Sequence, residues 1–299
     1  MGGITALRLA HENLGEIVLF DIVKGLAQGK VLDMEDARQL VKINYSLTGT
    51  DSIDEIRNSN IIVITAGLAR KPGMTREELL LKNADILKGL CLDIKKLAPQ
   101  AVVIVVTNPL DVMTYLAHKI TGFKSEKIIG MGVSLDAARF ANLISKELNT
   151  PSTDIDPCVI ASHGEGMLPM PRFTTIKGVS LDEFIDEEKM KILTAKTVAR
   201  GAEIVSLLGS GSAYYAPSAA IASIVKTIAK DEKRTIGVSA LLNGEYGVND
   251  VCLGVPCRIG KNGIESIVTL ELNQEEKSAF SNCAIALRKN IELLKPHLA

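Results

Sequence analysis

Short apolar runs alternate with longer stretches of helical spacing through the first half of the chain. The runs Ile17 to Phe20, Ile61 to Thr65, Ala101 to Thr107 and Lys127 to Met131 are of strand length, and helix-length segments separate them. This is the pattern of βαβ units, which calls for a parallel sheet covered by helices on both faces. The longest helical segment spans Thr75 to Leu97, with Thr75 placed to act as N-cap and Pro99 just beyond its end. Ile4 to Leu9 predicts another helix at the very start.

After about Ser134 the texture changes. A helix is predicted over Leu135 to Leu148, broken at Asn149-Thr150-Pro151, and helices interrupted by strand-like stretches follow. Gly260-Lys261-Asn262-Gly263 lies between β-prone segments within Cys252 to Leu272 and predicts a hairpin. A final amphipathic helix fits Gln274 to Leu294, stopped by Pro296. No repeat or low-complexity linker intervenes. The reading is therefore an α/β protein of two closely packed domains: a doubly wound sheet over residues 1–133 and an α+β domain over 134–299.

Composition narrows the partners. With 299 residues and 46% hydrophobic content, the chain can bury a sizeable core. It has no Trp, only 4% aromatics and a net charge of -1, so it lacks both stacking platforms and a basic field for nucleic acid. No apolar run reaches the roughly 18 residues of a membrane span. The first residues have neither secretory nor transit character, which makes the cytoplasm the expected compartment. Five cysteines without CxxC spacing are expected to be reduced thiols, and no HExxH or Cys/His cluster suggests a metal.

Asp21 directly follows the strand Ile17 to Phe20, where a doubly wound sheet places an acid against ribose hydroxyls. A strand and a GxGxxG turn should precede it, yet only Met1-Gly2-Gly3 is present, with Asp21 19 residues after Gly2. The chain as given thus opens inside its phosphate loop, without the first strand. Ile17 to Phe20 and Ile61 to Thr65 are then expected to lack a shared central neighbour. Either an in-frame strand ending Gly-x-Gly-x is encoded upstream of Met1, or the chain is a truncated, non-catalytic remnant.

Three stretches carry candidate chemistry: Ala69-Arg70-Lys71-Pro72-Gly73-Met74-Thr75-Arg76, Leu135-Asp136-Ala137-Ala138-Arg139 and Ser162-His163-Gly164-Glu165. They contain three arginines to grip a dianion, with a carboxylate and an imidazole to move one proton. Planar guanidinium groups match carboxylates, and a His held by an acid is a general acid/base. Taken singly, each has a plainer explanation. Asp136 and Arg139 have the spacing of a solvated helix pair, Arg70 and Arg76 of exposed loop charge, and His163 of a turn residue. Their joint occurrence points to oxidation of a hydroxyl on a small di-acid.

At these residues the chain resembles the lactate/malate dehydrogenase family, in its bacterial and archaeal malate-oxidising type. Thr65-Ala66-Gly67 with the Arg70 loop, Thr107-Asn108-Pro109-Leu110-Asp111, Leu135-Asp136-x-x-Arg139, His163-Gly164, Gly211-Ser212-Ala213 and Gly244-Glu245-Tyr246-Gly247 all fall in family order. The resemblance implies a Rossmann domain, NAD as cofactor, interconversion of malate and oxaloacetate in the tricarboxylic acid cycle, and a homodimer or homotetramer. It implies that His163 exchanges the substrate proton and Asp136 orients its ring. Arg139 would hold one carboxylate, Arg76 would polarise the carbonyl, and Arg70 would select the di-acid where lactate enzymes carry Gln. Asn108 would touch substrate and cofactor, with Asn83, Val106 and Thr107 on the nicotinamide side and Gly2 and Asp21 at the other end of NAD. Another 2-hydroxy acid, such as lactate, is the rival substrate, opposed by the cation at Arg70. The chain departs from the usual Gly-His-Gly-Asp-Thr, reading Ser162-His163-Gly164-Glu165-Gly166.

Overall fold

The computed structural model describes residues 1–68, 73–209 and 211–298. The first half contains α1 (Gly2–His11), β1 (Ile17–Phe20), α2 (Leu26–Val41), β2 (Leu47–Thr50), β3 (Ile61–Ile64), α3 (Arg76–Leu97), β4 (Val102–Val105), α4 (Leu110–Thr121) and β5 (Ile128–Gly130). Every strand expected here forms, Ile17–Phe20 with the expected bounds and the other three shorter at one or both ends, where the apolar run passes into a loop. Helix α3 begins where its capping chemistry dictates. Thr75 Oγ1 accepts the Glu78 amide at 3.0 Å, and the Glu78 carboxylate accepts the Thr75 amide at 2.8 Å. This reciprocal box satisfies two orphan donors and contributes about 1 kcal/mol.

All pairings in this half are parallel, but they form two separate blocks. Strand β1 pairs with β2, while β3, β4 and β5 run side by side. In a doubly wound sheet the strand order 3-2-1-4-5-6 places one central strand between these blocks. Among the described residues no strand bonds to the facing edges of β1 and β3. Exposure follows from this arrangement. Ile61, Ile62 and Val63 are only half-buried and Val18 is exposed, whereas Val102 to Val105 of β4, flanked on both sides, are at most 1% exposed. Ala6, Ala10, Val31, Tyr45 and Leu47 accordingly make a small core of their own under β1 and β2.

The second half contains α5 (Val133–Leu148), β6 (Ile155–Asp156), β7 (Val159–Ala161), β8 (Met167–Pro169), β9 (Thr175–Ile176), β10 (Val179–Ser180), α6 (Glu187–Leu208), α7 (Tyr215–Ala229), β11 (Arg234–Asn243), β12 (Asn249–Gly260), β13 (Gly263–Ile267), α8 (Gln274–Glu292) and α9 (Lys295–Leu298). The β12–β13 hairpin turns at the predicted glycines. Pro296 does not stop the last helix. Helix α8 ends at Glu292, and Pro296 lies in the first turn of α9, where a missing amide costs nothing.

One sheet ties the halves together in the order β3-β4-β5-β11-β12-β7-β8. The join is the antiparallel pair Ser239–Gly130 between β11 and β5. Gly130 is required there: a Cβ would lie 2.7 Å from Ser239 Cβ and 2.4 Å from Thr114 Oγ1. The main core lies along this sheet, with a second one beneath α5 and α6. Among the described residues no helix is long and apolar enough to cross a membrane, and all five cysteines are unpaired.

Candidate active site

Helix α5 starts at Val133, directly behind β5, and buries its first turn against the sheet. Asp136 in that turn is fully buried, and its two oxygens serve two partners. Oδ2 lies 2.7 Å from His163 Nδ1, and Oδ1 accepts from Arg139 at 3.1 Å. An ionised carboxylate can only accept, so Nδ1 carries the proton and Nε2 is left with a free lone pair. Burial of the imidazole pushes its pKa down. The charge and hydrogen bond of Asp136, with Asp111 behind it, outweigh that, and His163 lies above its ordinary value. The Asp136/Arg139 spacing is therefore not a solvated pair: the two side chains are 0% and 11% exposed.

Arg139 is poised for an anion. Its Nε is buried with no hydrogen-bond partner among the described residues. Gly201 on α6 packs beside the guanidinium, where a Cβ would lie 3.4 Å from Arg139 Nη1. A buried cation with unused donors is costly unless a carboxylate completes it.

The backbone of the histidine is held from beneath by Asp111, in the first turn of α4. Its Oδ2 accepts from Ser162 Oγ at 2.8 Å and from the His163 amide at 2.9 Å, and its Oδ1 accepts from Ser239 Oγ at 2.6 Å. Burial raises its pKa, and the hydrogen bonds from Ser239, Ser162 and His163 work against that rise. Gly132 supplies the space: a Cβ there would lie 2.2 Å from Leu110 Cδ2 and 2.8 Å from His163 Cβ. Sequence reasoning gave Asp111, Gly132, Ser239 and Gly201 no role. Only Asp111 carried a signal, a carboxylate inside the apolar run Leu110-Asp111-Val112-Met113.

Beside this centre, the loops after β3 and β4 meet. Thr107 Oγ1 donates to Ala66 O at 2.5 Å, and Asn83 on α3 donates to Asn108 O at 2.8 Å while accepting the Leu68 amide at 2.7 Å. Asn83 is 1% exposed, so it braces the two loops from behind, whereas Asn108 is exposed. The Asn108–Pro109 bond is cis. Val106 and Thr107 are buried at the end of β4, with the Val106 amide on Ile64 O at 3.0 Å.

The groups at the far end also fit a dinucleotide. Helix α1 has no side-chain cap at its N-terminus, leaving its first amides for phosphate oxygens. Gly2 lies against the ends of β3 and β1, where a Cβ would be 3.1 Å from Thr65 Oγ1 and 3.7 Å from Leu19 Cδ1. Asp21 sits at the end of β1, one oxygen accepting the Val23 amide at 3.1 Å. Arg76 opens α3 and reaches the histidine loop, pairing with Glu165 at 2.8 Å. Arg70 lies outside the described residues.

Comparison with known proteins agrees with this geometry. Residues 1–130 match the lactate/malate dehydrogenase NAD-binding domain, and residues 133–297 match the lactate/malate dehydrogenase alpha/beta C-terminal domain. The chain is 44% identical to a malate dehydrogenase of Methanosarcina acetivorans, covering 98% of this chain and 96% of that one. It is 41% identical to a malate dehydrogenase of Chlorobium limicola over 100% of this chain and 97% of that one. Its structure is similar to the apo malate dehydrogenase of Picrophilus torridus, with TM-score 0.95, 39% identity, and 99% and 95% of the two chains covered. It is also similar to the Cryptosporidium parvum lactate dehydrogenase bound to lactic acid and nicotinamide adenine dinucleotide, with TM-score 0.94, 34% identity, and 98% and 94% covered. Two domain models matched in succession and relatives alike over nearly their whole length lead to one conclusion: this chain belongs to the lactate/malate dehydrogenase family.

Proposed function

We propose that the chain interconverts malate and oxaloacetate with NAD as the hydride acceptor. The observation that carries this reading is the buried Asp136, which at once fixes the tautomer of His163 and holds Arg139 with its Nε unused. In the oxidising direction, His163 Nε2 takes the hydroxyl proton and Asp136 stabilises the imidazolium that results. NAD bound here would supply the acceptor for the hydride on the carbon that bears the hydroxyl. Arg139 grips the adjacent carboxylate, Arg76 polarises the carbonyl, and Arg70 pairs with the second carboxylate. Asn108 orients substrate against cofactor, and Val106 and Thr107 wall the nicotinamide, with Asn83 bracing them. Asp21 binds ribose and repels a 2′-phosphate, which favours NAD over NADP. Gly2 and the start of α1 face the phosphates.

The two domains divide the work, residues 1–133 for cofactor and 134–299 for substrate. Exposed Leu32 and Leu40 on α2 and Val205, Leu207 and Leu208 on α6 support a homodimer or homotetramer. Service in the tricarboxylic acid cycle of the cytoplasm agrees with a malate substrate.

The test is His163→Asn. Hydride transfer measured in single turnover should slow by at least about a hundredfold, the scale of a lost general acid/base. Unchanged transfer would remove His163 from the mechanism.

A further inference from the structure

The reach of Arg76 across the mouth of the site has no local cause. Arg76 sits at the first position of α3; the acids of its own turn, Glu77 and Glu78, lie one and two residues on and do not face it, and Glu78 is committed to the Thr75 amide in the capping box. The guanidinium instead crosses 89 residues of sequence to Glu165. Its two terminal nitrogens contact the two carboxylate oxygens, Nη2 to Oε1 at 2.8 Å and Nη1 to Oε2 at 3.3 Å. This is the two-pronged geometry of an arginine–carboxylate pair, and it occupies the donors that a substrate oxygen would need.

Glu165 stands two residues after His163, beyond the left-handed turn at Gly164 (φ +94°). It belongs to the loop that Asp111 fixes, so the carboxylate is presented from the rim of the proton-transfer centre. The sequence departs from its family's habit here, with Glu where the shorter Asp is usual. The extra methylene extends the reach of this rim carboxylate toward α3. Both side chains are mostly exposed, 76% and 79%, so the pair is weak enough to exchange.

We propose that Glu165 is the resting partner of Arg76, a carboxylate that substrate must displace before the arginine can polarise its carbonyl. Glu165 is then a positioning residue that sets substrate affinity through Arg76 and takes no part in proton transfer. The proposal rests on the assignment of Arg76 to substrate.

The experiment is calorimetric binding of oxaloacetate to the NAD-loaded protein, which has no hydride to give, so that even inactive variants can be read. Steady-state rates of oxaloacetate reduction run alongside. Glu165→Gln should tighten binding and lower KM about two- to fivefold, the range an exposed ion pair supports, with kcat within about twofold. Glu165→Asp, too short to span, should move the same way. In an Arg76→Ala background Glu165→Gln should leave the Kd where it was, because the effect runs only through the arginine. A fall in kcat with KM unmoved would overturn the proposal and make the pair a pre-organising brace. An equal tightening in the Arg76→Ala background would also overturn it, reducing Glu165 to a general repulsion of the dianion. Arg76→Ala binding as tightly as the parent protein would instead refute the assignment of Arg76 itself.

Discussion

Replacing Asp136 with Asn probes the centre at its most connected residue. The side chain keeps its shape but loses its charge, and with it the charge-assisted bond to His163 at 2.7 Å and the one to Arg139 at 3.1 Å. Such a bond contributes roughly 1.5 to 3 kcal/mol in favour of the imidazolium. At about 1.4 kcal/mol per pKa unit, the His163 titration should move down by about one to two units. The sign follows from which form works. On the role proposed for His163, reduction of oxaloacetate needs the protonated ring, so kcat/KM is full below its pKa and is lost as pH rises through it. Oxidation of malate needs the neutral ring and shows the opposite dependence. In the parent protein both midpoints should lie above the ordinary histidine value, because burial, which acts downward, is outweighed by Asp136 and Asp111. In Asp136→Asn both should fall together, and turnover should drop by about 10² to 10⁴ as the ring loses its fixed tautomer. pH–rate profiles in the two directions, with thermal melts to establish that the variant is folded, measure this. A slow variant whose midpoints have not moved would refute the reasoning, since Asp136 would then not set the protonation of His163.

Other expectations follow from the proposed roles and from particular contacts. Arg70→Gln should raise the efficiency with pyruvate relative to oxaloacetate by about 2 kcal/mol or more, as the second carboxylate loses a paired charge; competing the two substrates on parent and variant decides, and an unmoved preference places specificity elsewhere. Gly132→Ala should cost about 1 to 3 kcal/mol in urea melts and slow turnover, because its Cβ would lie 2.2 Å from Leu110 Cδ2 and 2.8 Å from His163 Cβ. Amides in β1 and β3 should exchange hydrogen faster than those in β4, whose edges are both paired. Equal protection of peptides covering 17–20, 61–64 and 102–105 would contradict the open edges between the two parallel blocks.

Much of this molecule was legible in the linear pattern because the features concerned are local. The runs of Ile and Val that make β1, β3, β4 and β5 announce themselves by length and β-branching, and the cap at Thr75 needs only a Glu three residues on. The identity of the chemical groups was equally local: an imidazole, acids and arginines in a recognisable order. Asp136 and Arg139 lie one helical turn apart, so their contact was available from spacing, although not their burial. Pro296 misled, because a proline marks a helix end or a first turn with equal ease.

Tertiary structure decided which distant groups meet. Asp136 finds His163 across 27 residues, Asp111 finds Ser239 across 128, and Arg76 finds Glu165 across 89. Periodicity says which face of a helix is buried but not against what, so no pattern around Asp136 could name its partner. The same holds for β11, whose pairing with β5 through Gly130 carries the sheet from one domain into the other. A fully buried carboxylate beside a His fixes its tautomer and favours its charged form, which an open turn does not. The residues determined that such a centre was chemically possible, and the close packing of α4, α5 and β11 around one loop decided that its groups meet.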